Sequence, residues 1–183
     1  MIDDRYLIKR CIQKDRKCQR ILYEKYASLM LGVCMRYTGN RAEAEDILQE
    51  GFLKAFTNIG QYSGKGKFLS WLKSIMVNTA ITQFHQGKKH RDHAGIDEIY
   101  DSSLKDQGTV SGLERLKEED LLKVITELPR GFRMIFNLYA IEGYKHHEIA
   151  EMLRIDEGTS KSQYSRARKY IRARLGKLYE SAL

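Results

Sequence analysis

Proline is almost missing: it occurs once, at Pro129, in 183 residues. With so few breakers, long runs of Leu, Ile, Lys, Glu and Arg and no period-2 alternation, the sequence predicts an all-helical protein. Cysteine is scarce too. Cys11, Cys18 and Cys34 are odd in number and lack metal-ligand spacing. They exclude a disulfide framework and a zinc site, and are expected to be buried, reduced thiols among Ile8, Ile12, Ile21, Leu22, Met30 and Val33. The expected compartment is therefore the cytoplasm. Long hydrophobic runs are also lacking. The longest uncharged apolar stretch, residues 27–35, falls far below the ~20 residues that span a bilayer. The start, Met1-Ile2-Asp3-Asp4-Arg5, has no basic region followed by an apolar one, so no secretory signal is expected.

Acidic residues are in the minority: 24 Asp and Glu stand against 32 Lys and Arg, a formal net charge of +8. A pI near 9.3 points to a polyanionic partner, nucleic acid first and an acidic membrane surface second. The charge is uneven: +8 over residues 1–93, −3 over 94–118 and +3 over 119–183. The acidic stretch carries Asp101-Ser102-Ser103 and Gln107-Gly108-Thr109-Val110-Ser111-Gly112 without an apolar period. It reads as a flexible linker, 94–115, between two small helical domains at 1–93 and 116–183.

In the first domain, Ile8, Cys11 and Ile12 start one apolar stripe, and Ile21, Leu22, Met30, Val33 and Tyr37 form a second. Thr38-Gly39-Asn40 should stop that helix, with Gly39 suited to a left-handed C-cap. Ala44, Ile47, Leu48, Phe52, Ala55, Phe56 and Ile59 recur at spacings of three and four, predicting an amphipathic helix over 41–59. Ser63-Gly64-Lys65-Gly66-Lys67 reads as a flexible basic loop. A further helix is expected over 68–86, ending in the basic run Lys88-Lys89-His90-Arg91. In the second domain a helix is expected over 116–128. Pro129 then fits a helix start, Phe132, Ile135, Phe136 and Tyr139 give an apolar face, and Gly143 ends that helix.

The segment 148–153 reads as a short helix, with Ala150 small enough for a close crossing, Ile155 plugging the turn and Asp156 N-capping a second helix over 157–177. On a helical wheel Tyr164, Ala167, Ile171 and Leu175 gather on one side of that helix. Ser162, Ser165, Arg166, Lys169 and Arg172 gather on the other. Residues 158–177 hold seven basic residues and no acidic one. A short helix, a tight turn and a basic amphipathic helix are the order of a DNA-binding helix-turn-helix, whose second helix enters the major groove. Lys161, Ser162, Ser165 and Arg166 then lie near its reading end, and Lys169, Arg172 and Arg174 further along, toward phosphates. Adjacent His146 and His147 point about 100° apart on a helix, chelate poorly, and are expected as exposed surface residues.

Several blocks, in order, resemble the extracytoplasmic-function group of bacterial RNA polymerase sigma factors, within the sigma-70 superfamily. Residues 43–56, Glu43-Ala44-Glu45-Asp46-Ile47-Leu48-Gln49-Glu50-Gly51-Phe52-Leu53-Lys54-Ala55-Phe56, resemble that family's polymerase-binding helix. Phe68-Leu69-Ser70-Trp71-Leu72-Lys73-Ser74-Ile75-Met76-Val77-Asn78-Thr79-Ala80 resembles its promoter-melting and −10 helix. Leu128-Pro129, Glu148-Ile149-Ala150 and residues 158–168 resemble its −35 helix-turn-helix. The resemblance implies a transcription initiation factor that binds core RNA polymerase, selects promoter DNA and helps open it. It implies no enzyme activity, cofactor, metal or small-molecule substrate, and adds an anti-sigma factor as a third partner.

Residue by residue, the resemblance assigns polymerase binding to Asp46, Gln49, Glu50 and Leu53. It assigns the −10 surface to Lys65, Lys67, Trp71, Asn78, Gln83, Lys88, Lys89 and Arg91, and the −35 surface to Thr159, Lys161, Ser162, Ser165, Arg166, Lys169 and Arg172. The residues suit these tasks. Asp46, Gln49 and Glu50 adjoin at i, i+3 and i+4. An opened strand needs a basic track and a polar group for an unstacked base, which Asn78 can supply. Trp71, beside Leu72, Ile75 and Met76, also reads as core. The sequence departs from the family pattern at Lys145-His146-His147, where a serine or threonine is common, at Arg154, where a glycine is usual in the turn, and at Ser165, often aromatic or histidine. An ordinary helix-turn-helix regulator needs neither the 43–50 helix nor the Trp71–Asn78 block. A recombinase or nuclease needs a nucleophile or metal-binding carboxylates, and no His or Cys converges on Glu43, Glu45, Asp46 and Glu50.

Overall fold

The computed structural model describes residues 3–92 and 118–180, with side chains described over 3–87 and 120–178. The expected linker, 94–115, lies outside the described residues. The chain divides into two compact units, Met1–Phe84 and His85–Leu183. Among the described residues every regular element is helical, as the composition predicts.

The first unit is built from α1 (Asp4–Ile12), α2 (Arg16–Met35), α3 (Arg41–Asn58) and the start of α4 (Phe68–Asp92). Short polar side chains start the first three. Asp15 accepts from the Lys17 and Cys18 amides at 3.0 and 3.2 Å, and Asn40 accepts from the Glu43 amide at 2.9 Å while its own amide donates to the Glu43 carboxylate at 2.9 Å. Such caps satisfy amides that have no partner within the helix. The core comprises Leu7, Cys11, Leu22, Met30, Ile47, Phe52, Leu72 and Met76, among others. Burying each large apolar side chain stabilises the unit by about 1.5–3 kcal/mol. Gly51 sits where α3 meets α4: a Cβ there would collide with the Met76 thioether.

Four expectations need correction here. Among the described residues the positive-φ glycines are Gly64, Gly66 and Gly143, and Gly39 is not one of them. α2 instead ends at Met35 on a right-handed Arg36, and Asn40 restarts the chain. Ile12 and Ile21 are exposed at 51 % and 36 %, because the buried stripes run through Leu7, Ile8, Cys11 and through Cys18, Leu22, Tyr26. α4 continues to Asp92, six residues beyond its expected end, since Lys and Arg are good helix formers and only Gly87 weakens the run. The basic run lies on this helix rather than after it. The three cysteines are free and buried. Burial is the main cause that pushes the thiols up, Cys11 to about 11 and Cys34 to about 12.

The second unit holds α5 (Glu118–Glu127), α6 (Arg130–Phe136) continuing into a π turn (Asn137–Ile141), α7 (His146–Leu153) and α8 (Glu157–Glu180). Pro129 precedes α6 as its N-cap residue, and Gly143 at φ 82 turns the chain after the π turn. Val124, Ile125, Leu128 and Phe132 pack against Ala167, Ile171 and Leu175 of α8. α7, residues 154–156 and α8 form the expected helix-turn-helix. Arg154 occupies the turn in the left-handed region, at φ 54 and ψ 54, the conformation that a glycine adopts without strain.

Candidate functional site

Three outward surfaces carry the residues singled out above. On α3, the side opposite Ala44, Ile47, Leu48 and Ala55 presents Asp46 and Gln49, both exposed. Leu53 extends that surface with 69 % of its area open to solvent, the largest exposure among the described large apolar side chains. Glu50 is different. Its carboxylate meets Lys54 Nζ at 2.6 Å and accepts from Gln83 Nε2 of α4 at 3.4 Å, while Lys54 also reaches the buried Thr79 hydroxyl at 3.4 Å. Lys54 holds the Glu50 carboxyl below the ordinary carboxylate value, against the opposing effect of burial, and Gln83 adds to it. The structure thus joins Glu50 and Gln83, which the sequence assigned to different tasks, through a polar chain linking α3 and α4.

Lys65 and Lys67 are exposed in the loop before α4, which the two left-handed glycines, Gly64 at φ 74 and Gly66 at φ 82, turn sharply. Trp71 is half-buried rather than core: its ring lies 5.6 Å from Tyr62 and 5.5 Å from Phe68 between centroids. Asn78, seven residues on and therefore on the same side of α4, is exposed. Its main-chain carbonyl accepts from Thr82 Oγ1 at 2.9 Å. Gln83 is half-buried. Lys88, Lys89 and Arg91 lie on α4, but their side chains are outside the described residues.

On α8 the two faces separate as expected. Ala167, Ile171 and Leu175 are buried, whereas Lys161, Ser162, Ser165, Arg166, Arg168, Lys169 and Arg172 are exposed and Thr159 is half-buried. Some of the cations of α8 are engaged within the unit. Lys161 pairs with Glu157 at 2.7 Å, just upstream of the acid-free stretch, and Arg174 turns to Glu127 of α5 at 3.0 Å. Arg168 lies 5.9 Å from the Tyr164 ring centroid.

His146 departs from its expected surface position. It is half-buried, its ring parallel to Tyr139 with centroids 4.2 Å apart, and its Nδ1 lies 2.9 Å from the Ser160 hydroxyl. Burial, then Lys161, hold its imidazole below the ordinary value, against an opposing pull from Glu157. No helical period links residues fourteen apart on different helices, so this contact was invisible in the sequence. The missing serine or threonine before α7 is offset in part by Glu148, whose carboxylate accepts from the Lys145 amide at 2.7 Å. Among the described residues no group of three or more His, Cys, Asp and Glu could hold a metal ion, and no helix is long and apolar enough to cross a membrane.

These features define a helical DNA-binding protein with a second, separately folded unit. Comparison with known proteins makes this specific. The Sigma-70 region 2 family model matches residues 22–90 and the Sigma-70 region 4 model matches residues 118–171. The chain is 30 % identical to the RNA polymerase sigma-H factor of Pseudomonas aeruginosa over 190 residues, covering 98 % of this chain and 97 % of that protein. It is 32 % identical to the ECF RNA polymerase sigma-E factor of Haemophilus influenzae over 178 residues, covering 93 % and 94 %. A solved sigma factor RpoE from Bartonella quintana, in complex with the anti-sigma factor NepR, is similar at 21 % identity and TM-score 0.49, over 85 % of this chain and 95 % of that one. The chain belongs to the sigma-70 family of RNA polymerase sigma factors, in its extracytoplasmic-function group, and is a promoter-directing transcription initiation factor.

Proposed function

We propose that this factor acts in the cytoplasm without catalytic activity of its own, docking on core RNA polymerase through α3 and reading two promoter elements through α4 and α8. Residues 1–93 form the polymerase-binding and −10 domain, 94–115 the linker, and 116–183 the −35 domain. Asp46, Gln49, Glu50 and Leu53 meet the polymerase. Lys65, Lys67, Lys88, Lys89 and Arg91 track the backbone of the opened strand, Trp71 and Gln83 border it, and Asn78 offers an amide donor and acceptor to an unstacked base. Thr159, Lys161, Ser162, Ser165 and Arg166 face base edges at −35, while Lys169 and Arg172 hold phosphates. The third partner, an anti-sigma factor, is proposed on family membership.

The observation that carries this reading is the division of α8. One side is buried against α5 and α6, and the other presents an uninterrupted polar and basic surface beginning at the helix-turn-helix turn. The polymerase supplies the chemistry and fixes the distance between the two units. A single helix-turn-helix contacts one half-site, so the free factor binds duplex promoter weakly until polymerase removes the cost of aligning both units. Run-off transcription with core polymerase on a promoter library, with and without the protein, tests the assignment. Transcripts that require the protein and start downstream of a shared pair of elements are expected. Tight, sequence-specific duplex binding by the isolated monomer, without a polymerase-dependent transcript, would instead identify an ordinary helix-turn-helix regulator.

A further inference from the structure

Ser160 lies on the inner side of the first turn of α8 and is fully buried. A buried hydroxyl needs a hydrogen-bond partner, and here one comes from another helix, the His146 imidazole at 2.9 Å. The same ring stacks on Tyr139 at an interplanar angle of 14° and meets Tyr164 edge-on at 5.7 Å. Tyr164 stands one turn beyond Ser160 on α8 and packs on Tyr139 at 4.5 Å. From the first position of α7, His146 therefore engages two successive turns of α8, with Tyr139 of the π turn behind it.

We propose that His146 is a positioning residue for −35 reading, holding the first two turns of α8 at a fixed rotation and height so that the side chains at 161, 162, 165 and 166 meet base edges in register. The proposal rests on the reading of α8 as the −35 helix. The bond to Ser160 sets the height of the first turn, and the ring contacts with Tyr139 and Tyr164 set its rotation. Hydrogen bonds to base edges hold only within a few tenths of an ångström, so a small slip of α8 breaks them. Long Lys and Arg side chains reaching phosphates follow such a slip. Losing the His146 contact should therefore reduce discrimination among sequences while sparing non-specific affinity.

The test uses holoenzyme assembled from core polymerase and the full-length chain. Equilibrium binding is measured on promoter duplexes carrying each single-base change in the −35 element. The variants are His146→Ala, His146→Gln, Ser160→Ala, the double alanine variant and Arg166→Ala, with melting curves to match folded fractions. His146→Ala should cut the ratio of cognate to substituted affinity about tenfold, and Ser160→Ala, which keeps the ring contacts, by a smaller factor. The double variant should lose no more than His146→Ala alone, which already removes the bond to Ser160 along with the ring contacts. His146→Gln, whose amide can still bond the hydroxyl but which lacks the ring contacts, should recover part of the ratio, and the salt slope should stay at the wild-type value. If His146→Ala keeps the full ratio while Arg166→Ala loses it, positioning by His146 is refuted and the −35 reading stands. If both variants keep the ratio, the reading of α8 fails and the proposal with it. A His146→Gln variant as impaired as His146→Ala would overturn the hydrogen bond as the device.

Discussion

Glu50 on α3 is half-buried and bonded to Lys54 and to Gln83 of the neighbouring helix, whereas Arg166 on α8 is exposed and the packing of its helix is done by Ala167, Ile171 and Leu175 on the opposite side. In the first unit, part of the outward polar surface also ties α3 to α4. In the second, the exposed basic surface and the packing surface are opposite sides of one helix. The difference teaches where binding and stability can be separated by mutation. They should separate cleanly on α8 and only partly on α3.

The largest effect that sharpens this contrast is on polymerase docking. Replacing Asp46, Gln49 and Glu50 together by alanine should weaken core-polymerase binding by roughly 1–4 kcal/mol, read by direct titration. Within that triple, only Glu50→Ala should also lower the melting temperature, and slightly, because its ion pair with Lys54 is well solvated. Unchanged affinity would remove the docking role from α3. On α8, Arg166→Ala should cost about 1–3 kcal/mol at −35 positions where it reads guanine and change the preferred bases. Arg172→Ala should weaken all sequences alike and flatten the salt dependence by about one unit. Neither should alter thermal stability. If the two variants kept the same sequence profile, Arg166 would belong with the phosphate contacts.

Smaller effects concern the frame behind α8. Arg154→Gly should stabilise the second unit by about 0.5–1 kcal/mol: relief of a left-handed non-glycine residue is worth about 1–2 kcal/mol, partly offset by the extra freedom of glycine in the unfolded chain. Calorimetry of the full chain checks this, and a loss of stability would mean that the Arg154 side chain itself holds the turn. Weakest of all is a pH effect. Because His146 binds its proton less readily when folded than its ordinary value of 6.5, the unfolded chain takes up more proton as pH falls below that value. The contribution is complete above about pH 6.5 and is lost as pH falls through the folded value, and His146→Gln should remove this part of the pH dependence in melting curves.

Much of this architecture was legible from periodicity. Ala44, Ile47, Leu48, Phe52 and Ala55 on α3, and Ala167, Ile171 and Leu175 on α8, repeat at helical spacing and are buried. Pro129 and Gly143 mark helix ends because each restricts or frees one dihedral angle in a way visible in the residue type itself. Gly39 misled for the same reason: a glycine beside a helix end permits a left-handed cap without requiring one, and the Asn40 side chain supplied the boundary instead. Contacts between distant segments were not legible. The Glu50–Lys54–Thr79 chain and the His146–Ser160 bond depend on which helices cross and at what height, and local pattern carries neither quantity. Trp71 fell between expectations because its ring packs on Tyr62 and Phe68 while part of it remains open.

Permanganate footprinting of unpaired thymines tests the central claim, that the first unit opens the −10 region while the second fixes which promoter is held. Holoenzymes carrying wild-type factor, Asn78→Ala or Arg166→Ala are compared at equal promoter occupancy. Asn78→Ala removes an exposed donor and acceptor while leaving the buried side of α4 intact. The account predicts that it keeps polymerase binding but loses −10 reactivity on duplex promoters, recovering only part of it on a template already mismatched there. Arg166→Ala should keep normal reactivity per bound complex and change only which promoters are occupied. Wild-type reactivity from Asn78→Ala across several promoters would contradict the account, by showing that the melting site lies elsewhere.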